Sequence, residues 1–328
     1  MSEKIINNLV IVESPAKAQT IANYLGKDFT VMSSIGHIRS IPTDKELGKG
    51  KKAIDTDHDF KTIYTVDSDK KKIVAELRAA AKKAQAVWLA TDGDREGEAI
   101  AWHLSETLSL DPKKTHRIVF HEITKSAINE AIEHPHQLDM NLVKAQQARQ
   151  ILDRLVGFEL SPVVWRKVPG GKSAGRVQSP AVRLLVEKER EIIAFESLST
   201  FKITGEFETT SNDHDIIKAT LSIDFPDETA AHNFLDSLIG AKFTVTNIET
   251  NAATRSPLPP LTTSTLQQDA YARLGMSART TMSLAQQLYQ SGMITYMRTD
   301  SLNLSNQFLG VAGKYIERSF GAKYLKIR

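Results

Sequence analysis

Read from its N-terminus, the chain alternates short apolar runs with stretches of helical period. Asn8–Val12 is apolar without helical spacing, the pattern of a strand buried on both faces. The run stops at Glu13; Ser14 then stands at an N-cap position and Pro15 at the first helical one, which predicts a helix to Leu25, ending at Gly26. Phe29–Ile35 predicts a second strand, and the Gly, Pro and Lys content of residues 36–52 (GHIRSIPTDKELGKGKK) a mobile loop. A helix over Ser68–Ala84 and a strand over Val87–Ala90 follow. Next come a helix with Ile100, Leu104 and Leu108 on one face, a strand over Arg117–Phe120 and a helix over Lys125–Glu133. Such a βαβα series implies a mostly parallel sheet with helices on both faces, whose ligands bind outside the carboxyl ends of the strands.

The pattern changes at Asn141. A long helix containing QQARQILDRLVGFEL leads into SPVVWRKV, the loop PGGKSAGRVQS and the charged helix AVRLLVEKEREIIAF. Thr200 to Thr209 and Ile216 to Phe225 alternate apolar and polar residues around SNDHD, a hairpin signature, and Lys242–Thr250 predicts a third strand after a short helix. RSPLPP is a stiff linker. Two capped helices, TTSTLQQDAYARLG and SARTTMSLAQQLYQSG, joined through Gly275, Met276 and Ser277, resemble a helix-turn-helix element, and a turn at Gly292 leads into MITYMRTDS. The expected fold class is multidomain α/β and α+β, in four parts: a sheet domain over 1–140, a helical block over 141–198, a partial β domain over 199–260 and a partial helix-turn-helix-like domain over 261–328.

The concentrated chemistry lies between the Val87 strand and its helix, where Asp92, Asp94, Glu96 and Glu98 alternate with Gly93, Arg95 and Gly97. On an extended backbone the four acids would point one way. Hard oxygens at this density suit Mg²⁺ held by one to three carboxylates, with other positions left to water or phosphate. The competing reading is that acids in a first helical turn cap N–H groups and complement the dipole. Because Glu13 and Asp92 both fall at strand carboxyl ends, the topology favours a shared metal site. A calcium loop is excluded: its twelfth position would be His103 where a bidentate Glu is needed. Arg149 and Asp153, one turn apart, could simply pair on a solvated helix face.

Composition narrows the classes. With 41% hydrophobic and 25% charged residues the chain is ordinary for folded domains, and a formal net charge of +3 means that any nucleic-acid surface must be local. There is no cysteine, which excludes disulfides and thiolate zinc sites. The N-terminal apolar run is too short to span a bilayer and no cleavage site follows it, so the sequence predicts a cytoplasmic protein with no membrane segment.

Seven segments occur in an order that identifies a family: VIVESPAKA (Val10–Ala18), SSIGHIR (Ser33–Arg39), TDGDREGEAIAWH (Thr91–His103), QQARQILDRLVG (Gln146–Gly157), SAGRVQS (Ser173–Ser179), TSTLQQDAYARLG (Thr263–Gly275) and ITYMRTDS (Ile294–Ser301). Over essentially its whole length the chain resembles the bacterial type IA DNA topoisomerases, and VESPAKA with Met297 resembles the topoisomerase I branch. The resemblance implies a Toprim fold for the acidic domain. It also implies a Tyr296 that attacks one DNA strand, leaving a 5′-phosphotyrosine and a free 3′-hydroxyl, so that strand passage and resealing relax negative supercoils without ATP. Arg298 is implied to steady phenolate and phosphate, and Glu13 and Lys17 to act on the leaving oxygen. Mg²⁺ would sit on Glu13, Asp92, Asp94 and Glu96. Single-stranded DNA would pass His37, Arg149, Gln150, Asp153, Phe158 and Trp165. Its path would continue over the loop Gly170, Gly171, Lys172, Ser173, Ala174 and Gly175, and then over Arg176 and Gln178. Gln150 stands where relatives often have a second Arg.

Further implications are a monomer acting in the cytoplasm on the nucleoid, and a chain shortened relative to the family, without its downstream His motif and ring-closing segments. Such a chain is expected not to relax supercoiled DNA alone. A binding-only fragment, or a Toprim nuclease or primase-like protein using the acids without the tyrosine, is the alternative.

Overall fold

The computed structural model describes residues 6–210 and 214–325, so the tip of the predicted hairpin (211–213) lies outside the described residues. Contacts divide the chain into two units, one formed by residues 1–176 and 258–328, the other by 177–257.

The first unit is built on a four-stranded parallel sheet. Strands β1 (Ile6–Val12), β2 (Phe29–Ser33), β3 (Ala84–Leu89) and β4 (Thr115–Arg117) lie in the order β2-β1-β3-β4. Successive residues of β1 face opposite sides, and both sides are buried. Leu9 and Ile11 pack with Val87 and Leu89 against α2 (Lys71–Lys83) and α3 (Arg95–Leu108) through Leu77, Ile100 and Leu104. Val10 and Val12 pack with Ile21 of α1 (Pro15–Tyr24) and Ile128 of α4 (Lys125–Glu133). Ser14 caps α1 by accepting from the Lys17 N–H at 3.2 Å, with Pro15 first in the helix. The chain leaves β1 toward β2 on one side while β3 adds on the other, which places the topological switch between β1 and β3, the strands that end just before Glu13 and Asp92.

Beyond the sheet come α5 (Met140–Leu155), a π-helical turn over Val156–Leu160 and α6 (Ser161–Lys167), then α9 (Thr263–Leu274), α10 (Ala278–Gln290) and α11 (Asn306–Phe320). The α9–α10 pair docks through Ala285 and Tyr289, which enter the same core as Val10 and Val12. The second unit holds α7 (Gln178–Ala194), an antiparallel hairpin of β5 (Thr204–Glu208) with β6 (Ile216–Thr220), and α8 (Glu228–Ser237). Among the described residues no helix is long and apolar enough to cross a membrane.

Four local expectations need correction. Residues 36–52 are not merely loop: Thr43 and Glu46 form a reciprocal capping box on the turn Asp44–Leu47, and Ile41, Ala53 and Ile54 make a small core beneath it. The strand expected at Arg117–Phe120 ends at Arg117, although the Ile118 N–H still bonds the Leu89 carbonyl at 3.0 Å. The long helix is broken by the π-turn at Val156. No strand forms at 242–250, because alternation supplies propensity but a strand needs a ladder partner, and none pairs with it among the described residues.

Candidate active site

The acid loop is shaped by the start of α3. Asp94 is its N-cap, its Oδ1 accepting from the Gly97 N–H at 2.9 Å, and the Gly97 carbonyl in turn accepts from the Thr91 hydroxyl at 2.6 Å. The helical turn begins at Arg95, so the four acids do not share one face. Glu98 instead points inward, 3% exposed, and pairs with fully buried Arg117 at 2.9 Å. Capping and chemistry are therefore compatible: Asp94 caps the helix with one oxygen and presents the other to the site. Gly97 is required by proximity, since a Cβ there would lie 2.1 Å from the Asp92 carbonyl oxygen. Gly97→Ala is expected to lower the urea unfolding midpoint by an amount worth about 1–3 kcal/mol, the usual cost of overpacking.

At the strand ends, Lys17 is buried without exposure and its ammonium lies 2.9 Å from Asp92 Oδ1 and 3.2 Å from Glu13 Oε1. Burial raises the Glu13 carboxyl above its ordinary pKa, with Lys17 pulling it back and Asp92 adding to the rise. Glu13 Oε1 has no hydrogen-bond partner despite the nearby ammonium.

Tyr296 sits over this cluster. Its backbone N–H bonds the His121 carbonyl at 2.7 Å, its ring meets the buried Tyr289 ring edge-on at 5.1 Å, and its hydroxyl donates to Asp94 Oδ2 at 2.6 Å. Arg298 Nη1 donates to the same oxygen at 3.0 Å. The Tyr296 phenol is pushed well above its usual pKa, by burial first and then by Asp94 and Asp92, with Arg298 opposing. For Asp94 burial acts upward, but the Tyr296 hydroxyl, the Gly97 N–H and Arg298 outweigh it and hold the carboxyl below its ordinary value. The segment around Tyr296 forms no strand, and Tyr296 and Arg298 converge by sharing one acceptor.

Asp92, Asp94 and Glu96 line one cavity of about 360 Å³ together with Tyr296, Arg298 and Gln286. Among the described residues no three acid or histidine side chains form a closed metal cage. The donor set nevertheless fits Mg²⁺, which keeps several waters and takes one or two carboxylates, and the orphaned Glu13 oxygen is a spare acceptor. Glu96 is engaged elsewhere, accepting from Arg149 at 3.0 Å and Gln146 at 3.2 Å, with His37 at 3.8 Å. That contact joins the cavity to α5.

Along α5 and beyond, Asp153 pairs with Arg176 at 2.7 Å and lies 3.8 Å from Arg149, so it orients two arginines. The Gln150 side-chain oxygen is buried without a partner. Phe158 is 64% exposed beneath the Arg154 guanidinium, 4.3 Å from its ring centre. Trp165 is 61% exposed and donates its indole N–H to the Lys172 carbonyl, which fastens the loop 169–176 to α6. The Ala174 N–H adds a bond to Ser161 Oγ, and a Cβ at Gly171 would fall 2.6 Å from Val164. Gly170 turns with φ +74°, and Lys172, Ser173 and Gly175 complete the loop. Gln178 begins α7 and belongs to the other unit.

Sequence reasoning missed Arg117, whose guanidinium donates to Glu98, to the backbone carbonyls of Leu89, Thr91 and Ile118, and to that of Asp92. It also missed Tyr289, Gln146 and the inward role of Glu98. Only a charged residue opening the apolar run Arg117–Phe120 hinted at the first.

The Toprim domain family matches residues 8–123, and the DNA topoisomerase family matches residues 137–328, more than half of the sequence. The chain belongs to the DNA topoisomerase family. It is 45% identical over 357 residues to DNA topoisomerase 1 of Haemophilus influenzae, an alignment covering 97% of this chain and 40% of that protein. It also superposes on full-length topoisomerase I from Thermotoga maritima with a TM-score of 0.80 and 38% identity, over 97% of this chain and 54% of that one. The expected mixed α/β class holds, and so does the resemblance to bacterial topoisomerase I. The chain spans about half or less of the length of these relatives.

Proposed function

We propose that this chain carries the strand-cleaving centre of a type IA topoisomerase, which in the whole protein relaxes negatively supercoiled DNA without ATP. The observation that carries the reading is Tyr296 with its hydroxyl on Asp94, beside Arg298 and above the Glu13–Lys17–Asp92 cluster. In the proposed step the Tyr296 oxygen attacks phosphorus, the bond to the 3′-oxygen breaks, and the tyrosine becomes a 5′-phosphotyrosine. The phenol proton has an acceptor in Asp94, and Glu13, its pKa raised by burial against the pull of Lys17, is placed to pass a proton to the departing 3′-oxygen. Arg298 and Lys17 offset charge on the phosphate. Asp92 and Asp94, with Glu13, would hold Mg²⁺, which when bound supplies further charge neutralisation at the phosphate. Reversal of the same step reseals the strand.

The substrate is read as single-stranded DNA in nucleoid DNA of the cytoplasm, bound by a monomer along His37, Arg149, Gln150, Phe158, Trp165 and the loop to Arg176, with Gln178 following. The four-part division at residues 140, 198 and 260 is kept as part of this reading. Exposed aromatics need unpaired bases, while Arg149 acts through phosphate. Trp165→Ala is therefore expected to cost about 1–3 kcal/mol of single-strand affinity, measured by fluorescence anisotropy at fixed salt. Equal affinity of the unmodified chain for duplex and single strand would count against this path. The direct test of the chemistry is incubation with labelled single-stranded DNA and Mg²⁺, followed by denaturing electrophoresis; a denaturant-resistant adduct supports cleavage, and DNA binding with no adduct supports a binding-only protein.

A further inference from the structure

The cavity with the acids is one of two that meet at the tyrosine. A second cavity, about 1,040 Å³, is lined by Tyr296 and Arg298 as well, and among the described residues these two alone border both. The smaller cavity connects through Glu96 and Arg149 to α5, and Asp92 on its wall carries the Lys17 ammonium that, with Glu13, would meet the departing 3′-oxygen. The segment 5′ of the cut therefore belongs on that side. The segment whose 5′-phosphate stays on Tyr296 must continue past the Tyr296–Arg298 pair, and the space there is the second cavity.

Its walls suit bases better than phosphates. Arg298 is its only Lys or Arg among the described lining residues, so one phosphate is provided for at the mouth. Two of its four acids are already committed, Glu98 to Arg117 and Asp139 to the N–H groups of Asn141 and Leu142. What remains is a largely apolar wall that includes Phe120, Leu261 and Leu304, with Glu122 and Glu130 and with hydrogen-bonding groups from Asn303 and Ser301 of the tyrosine segment and His134 and His136 of the sheet domain. Amide, hydroxyl and imidazole groups match the edges of unpaired bases. The volume reaches the top of the ~300–1,000 Å³ range of small-ligand pockets, room for more than one nucleotide.

We propose that this second cavity seats the one or two unpaired nucleotides 3′ of the scissile phosphate, bases turned inward, so that the covalently held strand is gripped beyond the tyrosine as well as through it. The proposal rests on the cleavage reading above for its polarity. It assigns to the cavity a role in holding the strand that a groove along α5 alone would lack.

The test is hydrogen exchange of the chain with oligothymidylates of about 5 and about 15 nucleotides, lengths within and at the top of the range one single-strand site accommodates. Both are expected to protect α5 and α6, and only the longer one residues 119–122 and 299–305. A triple variant His134→Ala/His136→Ala/Asn303→Ala, all exposed positions, should bind the longer strand about tenfold more weakly, the loss of two or three hydrogen bonds, and the shorter one unchanged. Protection of α5 and α6 with none at the cavity walls, or equal effects of the variant on both strands, would overturn the proposal and leave the cleavage reading standing. No protection anywhere would overturn both.

Discussion

Replacing Arg117 by alanine should lower the unfolding free energy of the sheet-containing unit by about 3–5 kcal/mol, the cost of leaving a buried partner charge uncompensated. Arg117 is 1% exposed and Glu98 3%, so neither group recovers solvation when the other is lost. The guanidinium also satisfies four backbone carbonyls, including those of Thr91 and Asp92, and Glu98 in addition accepts from the Asp139 N–H at 2.8 Å. The pair thus ties the acid loop to β4 and to the entrance of α5. This distinguishes it from an ordinary buried ion pair, whose replacement by apolar residues is often neutral. Arg117→Met with Glu98→Leu should recover only part of the stability, because the carbonyls of Thr91 and Asp92 remain without donors. Urea unfolding followed by circular dichroism reads both; full recovery in the double variant would show that the carbonyl contacts contribute nothing. At sub-denaturing urea, Arg117→Lys should retain more of the loop, since one charge persists but the planar fork does not.

Tyr296→Phe should abolish any covalent adduct with single-stranded DNA while leaving the fold in place. The substitution removes one oxygen. Its ring keeps the edge-on contact with Tyr289, its backbone keeps the bond to His121, and Asp94 retains Gly97 and Arg298 as donors. The stability change should therefore stay near the ~1 kcal/mol of a single net hydrogen bond. Affinity for single-stranded DNA should be unchanged or slightly raised, since α5, Trp165 and the loop after it do not touch the hydroxyl. A residual adduct in this variant would move the nucleophile elsewhere, with Tyr289 excluded by its complete burial and its phenol held far above the usual pKa by burial, Asp92 and Glu13. Loss of adduct together with loss of folding would instead make Tyr296 a core residue.

Much of this molecule follows from local rules. The apolar run before Glu13, the cap at Ser14 with Pro15 behind it, and the helix Lys125–Glu133 are decided by neighbours within a few residues, and each stands where its pattern placed it. The parallel sheet is legible for a related reason: a strand buried on both faces has no polar alternation, and β1 shows none. Position along the chain also placed Glu13 and Asp92 at strand ends, because a βα unit fixes which end of a strand its loop occupies. What the tertiary structure alone decided is where each charged group points. Asp92, Asp94, Glu96 and Glu98 are equivalent by spacing, yet one faces Lys17, one caps a helix and receives Tyr296, one reaches Arg149, and one is buried against Arg117. The residues that separate them lie 75, 202, 53 and 19 positions away. Electrostatic energy depends on distance and burial in space, not on separation along the chain, so no local pattern could assign those four partners.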